Sequence, residues 1–391
     1  MTATQESTEP GTPEVSGAEI VLEGVVKRYP GQQHAAVDDL SLHIAAGEIV
    51  MLVGPSGCGK TTSLKMINRL IEPTSGSIRI NGKDVRERSA TDLRRHVGYV
   101  IQGGSLFPHM TVATNIAIVP RLLGWDDDKV TARVDELLDL VGLDPAKYRD
   151  RYPRELSGGQ QQRVGVARGL AADPPVILMD EPFGAVDPIT RQRLQDELLS
   201  IQRELRKTIV IVTHDIDEAI KLGDRIVILR EGAHVAQYDT PENILAAPAD
   251  DFVSDFVGSG STLKQLSLTR VSALELSRPT TARIGEATAE VRARAEAKGD
   301  RAVVVLDDRG RPRGWPMLRQ LRGEQIVEPT EDLIDIDERA TLNDALDTML
   351  TNSHGAAIVT GSRDQYLGVV DFAAVTDHMR MLEEQAGGAE R

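Results

Sequence analysis

Short apolar runs recur through the first two-thirds of the chain: "EIVMLVG" from 48, "HVGYVIQ" from 96, "PVILMDE" from 175, "TIVIVTH" from 208 and "DRIVILREG" from 224. Each is strand-length, almost continuous in Val, Ile and Leu, and bounded by turn residues. That pattern predicts strands buried on both faces, hence an α/β domain built on a largely parallel sheet. Between Gln102 and Leu156 the pattern changes, and "DKVTARVDELLDLVGL" from 128 places its apolar residues at helical spacing, predicting a helical insertion over about 103–156. None of the runs reaches the roughly 20 residues that a spanning helix needs, so a membrane role has to come through a partner.

A small-residue stretch, "GSGSTLK" from 258, marks a change of composition and the expected end of a domain over 19–258. Beyond it the chain repeats itself. "AVVVLDDRGRPRG" at 302–314 matches "AAIVTGSRDQYLG" at 356–368 at an offset of 54, and each copy follows a helical stretch, "ATAEVRARAEAKGD" or "TLNDALDTMLTNSHG". Two α+β units, 262–325 and 326–386, are expected to bury their apolar faces on each other. The start over 1–18, rich in Ser, Thr, Glu, Pro and Gly without a basic or apolar leader, reads as a disordered tail, and 387–391 as a second short one.

Composition narrows the partners. Forty per cent of the 391 residues are apolar and 27% charged, as in soluble globular proteins, and the formal charge of −15 repels a phosphate backbone, which argues against nucleic acid. The single cysteine, Cys58, excludes intrachain disulfides and fits a reducing compartment.

The chemistry sits at the ends of the apolar runs. "GPSGCGKTT", 54–62, has the spacing of a phosphate-binding loop between a strand and a helix. Gly54, Gly57 and Gly59 let the backbone wrap a β-phosphate, with Pro55, Ser56, Cys58 and Thr62 completing the loop; Lys60 neutralises phosphate charge and the Thr61 hydroxyl suits Mg²⁺. At the end of "VILMDE", Asp180 suits Mg²⁺ and Glu181 suits polarising an attacking water, and His214 ends a third run where it can sense a γ-phosphate. The amide of Gln102 can reach Mg²⁺ or that water, and the ring of Tyr29 can stack on an adenine. A second cradle, "LSGGQ" at 156–160, offers Ser157 and the backbone of Gly158, Gly159 and Gln160 ahead of a helical pattern.

Taken in order, Tyr29, the loop 54–62, Gln102, "LSGGQ", "VILMDE", Asp187 and His214 resemble the A-loop, Walker A, Q-loop, signature, Walker B, D-loop and H-loop of an ABC transporter's nucleotide-binding subunit, over about 20–258. The resemblance implies a P-loop NTPase cassette with a helical subdomain, ATP and Mg²⁺ as cofactors, and two copies packed head to tail, each signature completing the ATP site of the other. It departs from the family's usual Ser-Ala-Leu-Asp D-loop at Gly184-Ala185-Val186-Asp187, keeping the aspartate. The 54-residue repeat looks like a tandem CBS pair. An ABC ATPase ending in such a pair resembles the importers of quaternary-amine osmoprotectants such as glycine betaine, carnitine or choline. This implies a homodimer on the cytoplasmic face of the cell membrane, bound to permease subunits, indirectly served by a substrate-binding protein, and regulated by ionic strength or a nucleotide at the CBS pair. In such pairs a Thr/Ser-x-x-Asp pattern commonly holds adenosine nucleotides; here Asp371 replaces the hydroxyl and Ala374 the aspartate. The alternatives are an importer of another small solute and a soluble ABC ATPase; the latter would need a long coiled coil or two cassettes per chain, and neither is present.

Overall fold

The computed structural model describes residues 16–101, 106–184, 186–258, 261–329, 333–352 and 354–388. It divides into two compact units: the first runs to Ile244 and from Pro248 to Val257, and the second holds Leu245–Ala247 and the chain from Gly258 on.

In the first unit, β1 (Ile20–Lys27), β2 (Val37–Ile44) and β3 (Ile49–Val53) precede α1 (Lys60–Ile67); β4 (Ser75–Ile80), β5 (Lys83–Asp84), α2 (Ala90–Arg95) and β6 (Val97–Val100) follow. A helical stretch then holds α3 (Val112–Leu122), α4 (Asp127–Leu140), α5 (Pro145–Tyr148) and α6 (Gly158–Leu170). The chain returns to β7 (Val176–Asp180), α7 (Pro188–Leu205), β8 (Thr208–Val212), α8 (Ile216–Leu222), β9 (Arg225–Leu229), β10 (Val235–Asp239), α9 (Pro241–Ala246), whose last two residues count with the second unit, and α10 (Asp251–Val257).

The five apolar runs and the edge strand β10 form one six-stranded sheet in the order β10-β9-β3-β8-β7-β6, parallel except for β10. Every residue of β3 and β8 is buried, as a sheet covered on both faces requires. A second, antiparallel sheet, β2-β1-β4-β5, was not legible as such. Its strands are buried on one face, and register breaks in β1 interrupt the alternation that would have announced it. The helical stretch extends past 156, because α6 packs on α3 and α4. The N-terminal tail is shorter than expected: Ala18 is buried, and its carbonyl accepts a hydrogen bond from the Thr208 hydroxyl at 2.7 Å.

The second unit opens with α11 (Ser261–Leu268) and continues through β11 (Thr281–Arg283), α12 (Thr288–Lys298), β12 (Val304–Leu306) and β13 (Pro312–Gly314). β14 (Asp335–Asp337), α13 (Leu342–Thr351), β15 (Ala356–Thr360), β16 (Tyr366–Asp371) and α14 (Phe372–Gly388) complete it, the last running into the tail expected from 387. The sheets β11-β12-β13 and β14-β15-β16 share one register: Thr281↔Val304, Val305↔Gly314 and Leu306↔Pro312 recur 54 positions on as Asp335↔Ile358, Val359↔Gly368 and Thr360↔Tyr366. Two boundaries shift. Leu266 and Val271, expected in the first copy, fill the core of the second beside Leu342, Met349 and Val370, whereas Ile326, expected in the second, lies in the core of the first with Val291 and Val305. The exchange covers apolar surface that each short sheet cannot cover alone.

Candidate nucleotide site

The phosphate loop follows β3, whose buried residues anchor it. Gly54, Gly57 and Gly59 have φ of 151°, 80° and 113°, a region that favours glycine. A Cβ on Gly54 would lie 2.3 Å from the Leu229 carbonyl oxygen, and one on Gly59 2.6 Å from that of Ala36, so backbone packs against backbone at both points. Pro55, Ser56 and Gly57 are exposed at the crest, while Cys58, Gly59 and Lys60 are buried beneath it. Lys60 folds over the loop, donating to the carbonyls of Gly54 at 2.6 Å and Pro55 at 2.9 Å, with the Cys58 sulfur 3.8 Å away. Tyr29 stands half-buried two residues after β1, near the Lys27 ammonium, 5.2 Å from its ring centre. The same end of β1 approaches the loop, because Lys27 accepts the hydrogen bond of Ala36, the residue pressed against Gly59.

Thr61, followed by Thr62 in the first turn of α1, donates its hydroxyl to Asp180 at 2.9 Å. A hydroxyl and a carboxylate converging beside the loop fit Mg²⁺, a hard cation that binds one or two protein oxygens and takes the rest from phosphates and water. No cluster of three or more His, Cys, Asp or Glu able to hold a metal occurs among the described residues. Beyond Asp180, Glu181 turns to a φ of 45° as its N–H donates to Val212 of β8 at 2.9 Å. This turn brings a Glu181 carboxylate oxygen within 3.4 Å of His214 Nδ1, at the tip of the neighbouring strand. Gln102 lies outside the described residues, as does Ala185 of the D-loop.

The signature is a capped helix start. Ser157 Oγ accepts the Gln160 N–H at 3.3 Å, and the Gln160 side chain accepts the Ser157 N–H at 3.0 Å, a reciprocal cap on α6. Gly158 is exposed, and Gly159 lies against α7, where a Cβ would meet the Thr190 methyl at 2.6 Å. Asp187 caps α7 by accepting the Thr190 N–H at 3.1 Å, a bond that holds its carboxyl below the usual range.

A cluster that sequence reading missed lies beside the tips of β7 and β8. Thr213 donates to the buried Glu218 at 2.7 Å, and burial pushes the Glu218 carboxyl up. Arg191 lies 3.7 Å from Glu218 and 3.9 Å from Asp215, and donates to the Val186 carbonyl at 3.3 Å, linking the D-loop to the segment bearing His214. Its one signal in sequence is a basic residue one helical turn after Asp187, too common a spacing to single out.

A phosphate loop, a Thr61–Asp180 oxygen pair, an acid and a histidine on adjacent parallel strands define a P-loop nucleotide cassette. The family model described as "ABC transporter" matches residues 37–184. The chain is 50% identical, over 78% of its length and 80% of the relative's, to the osmoprotectant import ATP-binding protein OsmV of Salmonella typhimurium. It is 44% identical to the glycine betaine/carnitine/choline transport ATP-binding protein OpuCA of Bacillus subtilis, over 91% and 95% of the two chains. Among solved structures it resembles a dimeric ATP-binding cassette, MJ0796, bound to ADP and Pi after hydrolysis, with a TM-score of 0.52 and 34% identity over 57% of this chain and 98% of that one. The chain belongs to the ATP-binding subunits of ABC transporters and is an ATPase of that family.

Proposed function

We propose that the chain powers import of quaternary-amine osmoprotectants by hydrolysing ATP between two copies of itself, at the cytoplasmic face of a membrane that its permease partners span. The observation that carries the substrate class is the 44% identity to the glycine betaine/carnitine/choline protein, which extends over 91% of this chain and so takes in the repeated unit. No helix among the described residues is long and apolar enough to cross a membrane. An open groove of about 330 Å³ lined by Leu70, Ile101, Phe107, Ile118 and Arg168, at the entry to the helical stretch, supports docking of a permease segment there.

In this reading Lys60 leaves its two carbonyl partners for the β- and γ-phosphates, and Tyr29 stacks on the adenine. Thr61, Asp180 and Gln102 would hold Mg²⁺, which would supply positive charge against the phosphates. Glu181 draws a proton from the attacking water, and His214, hydrogen-bonding the γ-phosphate, keeps the acid aimed. Ser157, Gly158, Gly159 and Gln160 of one copy close over the γ-phosphate held by the other, with Asp187 alongside. The C-terminal repeat, read as a CBS pair, regulates turnover. A cleft of about 380 Å³ beside the stacked rings of Trp315 and His354 supports a small regulatory ligand such as a nucleotide, although Asp371 at the end of β16 already accepts the Ala374 N–H of α14 at 2.9 Å. Uptake of radiolabelled glycine betaine, carnitine, choline and maltose, by cells with and without the gene at two osmolarities, tests the proposal. Loss of amine uptake alone supports it; loss of maltose or of no uptake refutes the substrate class.

A further inference from the structure

The signature turn and the Asp187 loop come from segments about thirty residues apart, yet they touch at two levels. At the tip, Gly159 has no room for a side chain because the Thr190 methyl fills the space, and the Thr190 N–H is the one that Asp187 caps. One turn further along α6, the Arg163 guanidinium lies 3.2 Å from Glu197 of α7 and, with the same nitrogen, donates to the Val141 carbonyl at the end of α4, also at 3.2 Å. The neighbouring residue has no side chain in the way: a Cβ on Gly142 would lie 3.0 Å from that nitrogen and 3.5 Å from the Glu197 oxygen. Arg163 and Glu197 are both largely shielded from water, where an ion pair is directional and little screened. One contact at the tip would leave α6 free to pivot about Gly159. A second contact a turn away fixes the angle between the helices.

We propose that Arg163 and Glu197 are positioning residues that lock α6 to α7 and α4, so that the signature turn and Asp187 reach the partner copy's nucleotide as one rigid piece. The inference rests on the reading that ATP is shared between two copies. The polar partners of Arg163, Glu197 and Val141, lie outside the loop 54–62 and the tips of β7 and β8, so loss of the pair should leave binding by the single chain intact and weaken only what two copies do together. Misplacing a binding turn by about an ångström costs on the order of 10²-fold in rate.

The test compares Arg163→Met, Arg163→Lys, the near-isosteric Glu197→Gln and the exchanged pair Arg163→Glu/Glu197→Arg in the full-length protein. It reads binding of a fluorescent ATP analogue, steady-state hydrolysis, and ATP-dependent dimerisation in a Glu181→Gln background. Arg163→Met should bind the analogue as the parent does, lose about 10²-fold in kcat and dimerise poorly. Arg163→Lys and Glu197→Gln should lose less, and the exchanged pair should recover part of the loss. Unchanged kcat and dimerisation in Arg163→Met would overturn the proposal. So would analogue binding that falls in step with kcat across the series, which would mark the pair as merely structural. If Glu181→Gln alone fails to dimerise with ATP, the shared-site reading fails instead, and the two failures are told apart.

Discussion

The phosphate loop and the signature turn are two glycine-bearing cradles with opposite characters. The first is sealed: Lys60 is only 7% exposed and is already bonded to two carbonyls of its own loop. The second is open, with Ser157 and Gly158 at the surface above the reciprocal Ser157–Gln160 cap. Both start a helix, whose N-terminal N–H groups favour an anion. A sealed cradle is expected to grip a nucleotide by itself, and an open one to act only when something brings the phosphate to it.

That contrast can be broken in graded steps. The largest effect is expected from Glu181→Gln, which should lower kcat by about 10²- to 10⁴-fold while leaving equilibrium ATP binding unchanged; robust turnover would remove Glu181 from the role of base. Next come Lys60→Ala and Gly158→Asp, each expected to cost about 10²- to 10³-fold in rate, but only the first should abolish ATP binding by the single chain. Mixing the two inactive proteins sharpens the comparison further. A mixed dimer with the signature acting in trans holds one intact site and regains hydrolysis, whereas cradles acting within one chain would leave the mixture dead.

A smaller effect is expected from Gly159→Ala, whose new methyl is forced onto Thr190. Overpacking of this kind costs about 1 to 3 kcal/mol, seen as a lowered Tm, and Thr190→Ser should return part of it by removing the offending methyl. The smallest effect on turnover belongs to the second unit, which holds neither cradle. Asp307 is held down to about 2 by the backbone N–H of Arg311, helped by the Arg309 N–H and the Arg311 guanidinium. Because its folded value lies below its ordinary one, its stabilisation is complete above about 3.8 and is lost as pH falls toward about 2. Asp307→Asn should therefore flatten acid unfolding across that window, followed by circular dichroism, with ATP hydrolysis at neutral pH unaltered.

What the sequence could tell depended on how each feature is written in it. The parallel strands were legible because burial on both faces turns each into one apolar word, and their tips then located Asp180, Glu181 and His214. The loop 54–62 was legible because its glycines answer to backbone geometry that no other residue meets comfortably. The antiparallel sheet escaped because its strands are half-buried and broken in register. Arg191 and Glu218 escaped for a different reason: each is an ordinary charged helix residue until the fold sets them 3.7 Å apart. The repeat was visible by its period, but not the exchange that lends Leu266 to the second copy's core, since period reports similarity and not contact.

The positive φ of Glu181 bears on how this protein would drift if its activity ceased to matter. A residue with a Cβ held in the left-handed region costs about 1 to 2 kcal/mol, so the chain folds despite Glu181 and not because of it. Populations selected for thermal robustness alone should abandon Glu181 early, most readily for glycine or asparagine. Persistence of an acid there is therefore a record of use.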